Sequence, residues 1–149
     1  MHEAAHAVAL VANYKVLRAR IKYVSIVPGC RQVRTRQPMQ YRTDEPRQIE
    51  AFIQVMLAGM AANVAYSRMG RIVALFGTGV EDWKLASEAA EWLDAADMEA
   101  LSEDAILFVK RERAAIHGLA DALLETGYLD GNEAEQLITK CRKFQGEAR

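Results

Sequence analysis

Strand-forming residues are concentrated in one short part of this chain, and this concentration limits the folds that it can adopt. Ile21–Val27 is dense in β-branched and aromatic residues and ends at the turn signal Pro28-Gly29. Val33–Tyr41 is predicted to return as a second strand, at an edge or with a bulge, because Pro38 cannot donate a backbone hydrogen bond inside a sheet. We therefore expect a mainly α fold (α+β) with one small β-hairpin or sheet.

Helix-forming segments occupy most of the remaining sequence. Residues 2–17 are rich in alanine and contain neither glycine nor proline. A second helix is predicted from Pro46 to Ser67, with Thr43 or Asp44 as its cap and Pro46 in its first turn. Further helices are predicted over 81–97, 102–126 and 132–144, with a loop over 68–80. A chain of 149 residues is the size of one domain, so we expect a single domain over 1–149.

The termini and the apolar stretches contain no segment that predicts secretion or a membrane span. The chain opens with His2 and Glu3 rather than with a basic stretch followed by an apolar run. The most apolar stretch, Ala51–Tyr66, is interrupted by Gln54 and Asn63, and we expect it to be too short and too polar to cross a bilayer. With only two cysteines, nothing requires an oxidising compartment. We expect a cytoplasmic protein with no membrane partner.

Charge is unevenly distributed, although the net charge is only -1. Ala7–Thr43 has eight basic residues and no acidic one, whereas Gly79–Asp104 has nine acidic residues against Lys84. The basic stretch could bind an acidic peptide, a partner or nucleic acid. A solvated hairpin and a solvated acidic helix explain the same charges, and we favour that interpretation. The low net charge argues against nucleic acid as a partner.

Residues 2–6 read HEAAH and match the HExxH pattern of zinc metallopeptidases. On a helix, His2 and His6 lie one turn apart on the same face, so that both imidazoles can bind one Zn²⁺. Glu3 lies beside them, where a carboxylate can take a proton from a zinc-bound water. The pattern predicts His2 and His6 as metal ligands and Glu3 as the general base.

A catalytic zinc site needs a third protein ligand, which the spacing alone does not identify. The extended pattern HExxHxxGxxH is not present, because Ala9 and Ala12 stand where it requires glycine and histidine. His117 is a lone histidine in a late amphipathic segment, which is more typical of a packing residue. The third ligand is therefore expected to be a carboxylate from another helix, and five remain open: Glu50, Glu81, Asp82, Glu88 and Glu91.

Over nearly its whole length the chain resembles the protease domain of the FtsH family, the AAA-type ATP-dependent zinc metallopeptidases. Five segments carry the resemblance, in the family's order and spacing. Residues 2–6 resemble its HEAGH, 24–28 its first strand and turn, 57–62 its LGGRAAE, 78–86 its TGASNDLEQAT and 119–131 its LLEKETLDG. In the fourth segment the family's aspartate is the third zinc ligand, and Asp82 occupies that position.

The resemblance implies a helical zinc-peptidase domain that hydrolyses peptide bonds, with Zn²⁺ as cofactor and polypeptide as substrate. An edge strand, in Ile21–Val27 or Val33–Tyr41, is expected to bind an extended peptide. The chain contains no GxxxxGK[ST] phosphate loop, so we expect it to cleave only unfolded polypeptide unless a separate ATPase unfolds the substrate. A homo-oligomer is the other expected partner.

Two departures from the family support a rival interpretation. Asn63 replaces the family's glutamate after the paired alanines, and Met1 directly precedes the first ligand, where a helix frays. The alternative is a non-catalytic interaction module that keeps the peptidase fold. The intact HExxH pattern and Asp82 favour the enzyme.

Overall fold

A computed structural model of the chain describes residues 1–67, 70, 79–94 and 96–147. Helix dominates these residues, and a small antiparallel sheet accompanies the helices, as the sequence predicts. The helices are α1 (His2–Ala12), α2 (Tyr14–Leu17), α3 (Pro46–Tyr66), α4 (Val80–Ala90), α5 (Met98–Arg111), α6 (Arg113–Thr126) and α7 (Gly131–Glu147). The strands are β1 (Ile21–Ser25), β2 (Gln32–Thr35) and β3 (Tyr128–Asp130).

Helix α3 is the centre of the core and packs against α1, α4 and α5. By length and composition α3 could cross a membrane, but 67% of its most apolar window is buried inside the domain. The expectation that Ala51–Tyr66 is too short and too polar to cross a bilayer was therefore wrong for the 21-residue helix that contains it. The burial of this helix among other helices is typical of the core helix of a domain. Helix α1 is also enclosed, since Ala4–Leu10 are all buried. Helices α1 and α3 therefore pack against each other through their buried faces.

The sheet has the order β2-β1-β3, with both neighbours antiparallel to β1. The turn between β1 and β2 was predicted: Gly29 has φ +80° after Pro28, and Cys30 N–H donates to the Val27 carbonyl. This is the arrangement of a type II turn, in which glycine is favoured at the third position. Strand β2 therefore forms one edge of the sheet, beside α1.

Several predicted boundaries were wrong. The first helix stops at Ala12, because the Asn13 side chain donates to the Ala9 carbonyl and to Gln54 of α3. Neither Thr43 nor Asp44 caps α3; Glu45 precedes it without a side-chain cap bond, and Asp44 instead pairs with Arg42. Pro46 does occupy the first turn of α3, as predicted.

The second half of the chain is divided differently from the prediction. The helix expected over 81–97 ends at Ala90, and Asp97 instead caps α5 by accepting from Glu99 N–H. The helix expected over 102–126 is two helices separated at Glu112. The second strand is shorter than predicted, and β3 was not predicted. The predicted loop over 68–80 lies largely outside the described residues.

Candidate metal centre

Three side chains from two helices converge at one end of α1. His2 and His6 lie one turn apart on α1, and Asp82 lies in the first turn of α4. One possible ligand atom from each side chain lies within 4.8 Å of the other two. Among the residues that the structure describes, no other three histidine, cysteine or carboxylate side chains meet this criterion.

The spacing of the three ligand atoms fits one small cation. The Nε2 atoms of His2 and His6 are 3.0 Å apart, and Asp82 Oδ2 lies 3.4 Å and 3.2 Å from them. With metal–ligand distances of about 2.0–2.1 Å, two ligands of a tetrahedral zinc ion lie about 3.3–3.4 Å apart. Two nitrogens and one oxygen are also a donor set that zinc accepts. The residues present therefore fit a zinc ion with one coordination position left for water.

The orientation of His6 is fixed by α3. Its Nδ1 lies 2.7 Å from the carbonyl oxygen of Val55, both groups being buried. In the neutral ring with Nδ1–H donating to this carbonyl, Nε2 carries the lone pair that a metal can bind, and this atom faces His2 and Asp82. A backbone carbonyl on the far side of a histidine is a common way to fix a metal ligand.

A polar side chain of α3 also approaches His2. The Asn63 amide lies 3.4 Å from His2 Nδ1, whereas Asp82 faces Nε2 of the same ring. The amide of asparagine offers both a donor and an acceptor, so it can partner either tautomer of the imidazole. Asn63 stands where the FtsH segment that this chain resembles has glutamate, and it keeps a polar group against His2.

The charges of Asp82 and His6 stabilise each other. Burial alone would raise the pKa of Asp82, but the hydrogen bonds from His2 and His6 outweigh it and hold that pKa well below the usual range. Burial alone would lower the pKa of His6, whereas Asp82 and the Val55 carbonyl raise it overall. Asp82 is therefore an anion in the folded chain, which is the form that binds a metal.

Gly59 of α3 gives the two imidazoles their space. A Cβ at this position would lie 2.3 Å from His6 Nε2 and 2.5 Å from His2 Cε1. Both distances are far inside van der Waals contact, so no other residue type fits without moving a histidine. The backbone of α3 thus forms the floor of the site.

A cavity of about 310 Å³ opens over the three side chains. Glu3 is half-buried and lines it together with His2, His6 and Asp82, as the HExxH pattern predicts. Strand β2 forms part of its wall through Gln32, Val33 and Thr35, and the rest is mainly apolar: Leu10, Met39, Val55 and Met56. The cavity combines titratable groups with an apolar wall, which is typical of a ligand site.

The other ligand candidates are not at this site. Glu50, Glu81, Glu88 and Glu91 are exposed and do not join the two histidines. His117 packs its ring edge against Tyr66, with ring centres 5.1 Å apart. Of the five carboxylates that the spacing left open, Asp82 is the one beside the histidines.

Sequence reasoning missed three residues that shape the site. Val55 acts through its carbonyl, which every residue type possesses, so no pattern could have identified it. Gly59 lies inside a helix-forming segment, where glycine lowers the stability of the helix. A glycine at such a position indicates that another group packs closely against the backbone, and this could have identified Gly59. Arg31, which lines the cavity, was visible only as one of eight basic residues.

Comparisons with protein-family models, curated proteins and solved structures gave no match.

Proposed function

We propose that this chain is a zinc metallopeptidase of the FtsH type, with a helical zinc-peptidase fold, that hydrolyses peptide bonds in unfolded polypeptides. The observation that supports it best is the convergence of His2, His6 and Asp82 beside Glu3 in one cavity. The five segments that resemble the FtsH protease domain point to the same chemistry.

The proposed roles follow from the chemistry of each group. Zinc bound by His2, His6 and Asp82 would lower the pKa of a bound water and polarise the substrate carbonyl. The Glu3 carboxylate accepts the proton of the attacking water and passes it to the nitrogen of the leaving amine. The Val55 carbonyl keeps the His6 ring in place during this transfer.

An extended substrate has a strand to pair with in this arrangement. Strand β2 is at an edge of the sheet, and three of its residues line the cavity. A peptide that adds to β2 runs past the proposed ligands with its backbone held by hydrogen bonds. Folded proteins do not offer such a segment, so we propose unfolded polypeptide as substrate in the cytoplasm, supplied where needed by a separate ATPase or processed by a homo-oligomer.

Zinc content and casein cleavage test the proposal together. The chain is loaded with zinc, desalted and analysed for metal alongside three variants. Wild type and Glu81→Ala are expected to hold one zinc per chain, and Asp82→Ala to lose most of it. Glu81 is the matched control because it is the exposed carboxylate next to Asp82.

The Glu3→Gln variant separates metal binding from catalysis. Glutamine leaves both imidazoles in place but cannot accept a proton, so we expect full zinc and at least a hundredfold slower casein cleavage, on the order of a lost general base. A chelator should abolish cleavage by wild type. Equal zinc in wild type and Asp82→Ala would remove Asp82 from the ligand set. One zinc per chain without casein cleavage would instead favour the non-catalytic interaction module.

A further inference from the structure

Two cavities meet at the HExxH residues and share one basic side chain. The cavity of about 310 Å³ over the three proposed ligands borders a second one of about 440 Å³. His2, Glu3 and Arg31 line both of them. A peptide bond at Glu3 therefore has space for substrate side chains on either side, and Arg31 lies next to both spaces.

Arg31 is charged, exposed and without an ion pair or hydrogen bond among the described residues. Three other arginines of the same basic stretch have partners. Arg20 pairs with Glu135, Arg36 donates to Asn132, and Arg42 pairs with Asp44.

The acidic side chains of the cavity do not neutralise Arg31. Asp82 is directed to the two histidines, and no ion pair joins Glu3 to Arg31, so Glu3 keeps its carboxylate for proton transfer. A guanidinium offers several N–H donors in a planar fork, which matches a carboxylate in two parallel hydrogen bonds. The wall of the cavity therefore contains one guanidinium that the proposed catalytic roles do not use.

We propose that Arg31 makes this site select substrates with a carboxylate within two residues of the cleaved bond. The inference rests on the proposed function and adds the substrate class to it. The carboxylate is either an Asp or Glu side chain or the terminal carboxylate of the peptide, since both present the same group.

Arg18 provides a matched control. It is an exposed arginine at the end of α2, outside strand β2, and it lines neither cavity. Reversal of its charge changes the net charge of the chain as much as reversal at Arg31 does. A long-range charge effect would therefore be the same in both variants, whereas a direct contact would not.

The test uses peptides of eight residues that differ only at one central position, which is Glu, Gln or Lys, each with a free and an amidated C-terminus. Cleavage is mapped by mass spectrometry for wild type, Arg31→Glu and Arg18→Glu. We expect wild type to cleave the Glu peptide about two- to fivefold faster than the Gln peptide, the size of effect that an ion pair with an exposed arginine gives. Arg31→Glu should reverse the order in favour of Lys, and Arg18→Glu should keep the wild-type order.

The peptides with free and amidated C-termini identify the source of the carboxylate, because a preference that is lost on amidation indicates the chain end.

Peptide binding to Glu3→Gln chains, with and without Arg31→Glu, is measured by fluorescence anisotropy. Together the cleavage and binding assays separate the two proposals. Cleavage without a preference for the Glu peptide overturns the role of Arg31 but leaves the proposed peptidase activity standing. If no peptide is cleaved, the peptidase fails, and the anisotropy order of Glu, Gln and Lys decides the role of Arg31. Equal binding of the three peptides, or the same order after Arg31→Glu, overturns it.

Discussion

Gly59 is the residue at which the backbone of one helix comes within contact distance of both histidines of another. We predict that Gly59→Ala lowers zinc affinity at least tenfold, because the new methyl group must displace His2 or His6. The stability of the metal-free chain should also fall by about 1–3 kcal/mol, the usual cost of overpacking. Competition with a chromogenic chelator measures the affinity, and urea unfolding measures the stability.

Gly70→Ala is the control for this substitution, because a Cβ at Gly70 would meet no atom of the described residues within 4 Å. It should leave zinc affinity unchanged. If Gly59→Ala bound zinc as tightly as Gly70→Ala does, the three side chains would not hold the metal in the arrangement described.

The parts of the site that the sequence could predict are those with a local pattern. His2, Glu3 and His6 lie within five residues, and the helical repeat alone places them on one face. Asp82 lies about 75 residues further along the chain, so its position depends on how α4 packs, and only the resemblance distinguished it from Glu81. Val55 contributes a backbone atom, which has no sequence signature.

The junction between α5 and α6 shows why helix boundaries were harder to predict than helices. Glu112 suits a helix interior, so the run over 102–126 contains no local break signal. In the structure its buried carboxylate accepts two hydrogen bonds from Arg142 of α7, at 2.8 Å and 2.9 Å. The break between α5 and α6 thus coincides with a contact between residues that are 30 positions apart in the sequence. A local sequence pattern contains no information about such a contact. Strand β3 was missed for a similar reason, since its three residues pair only with β1.

The Glu112–Arg142 pair should contribute measurably to the docking of α7. We predict that Arg142→Met lowers the free energy of unfolding by about 1–3 kcal/mol, because it removes both hydrogen bonds of a buried carboxylate and leaves it only the exposed Arg111, 3.8 Å away. Glu112→Gln combined with Arg142→Met should cost less than Arg142→Met alone, because the buried group is then uncharged. Urea unfolding of the three chains measures both differences. A loss below about 0.5 kcal/mol for Arg142→Met would place this pair among weak surface ion pairs.

At the scale of the whole molecule, the proposed ligands connect helices that are far apart in the sequence. A metal bound by α1 and α4 stabilises only the folded chain, because the unfolded chain does not bring Asp82 to the histidines. We predict that zinc at a hundredfold excess over its dissociation constant adds about 2.7 kcal/mol to the free energy of unfolding. This corresponds to a rise of roughly 5–10 °C in the melting temperature of a chain of this size.

Thermal unfolding with zinc and with chelator measures this shift. Asp82→Ala should show a much smaller shift, while Glu81→Ala should match wild type. An equal shift in wild type and Asp82→Ala would mean that zinc acts elsewhere on the chain.

The proposed binding mode requires an extended substrate. Because the proposed peptide would lie extended beside β2, we predict that the chain cleaves casein at least tenfold faster than a stably folded protein of similar size, with equal rates whether or not ATP is added. We expect ATP to have no effect on the rates because the sequence contains no phosphate loop. Gel electrophoresis of both substrates over time gives the rates. Efficient degradation of the folded protein by the chain alone would contradict the prediction.

The separation of the ligands along the chain also sets the order in which the site can be assembled during synthesis. His2 and His6 leave the ribosome about 75 residues before Asp82, which at ribosomal rates of about 5–20 residues per second is roughly 4–15 s. During that interval a nascent chain has two imidazoles and no carboxylate partner, and the Val55 carbonyl and Gly59 also emerge only after much of it has passed. A metal taken up in this period would be held by α1 alone. Under the proposed function, the chain would therefore gain its peptidase activity only after α4 has docked.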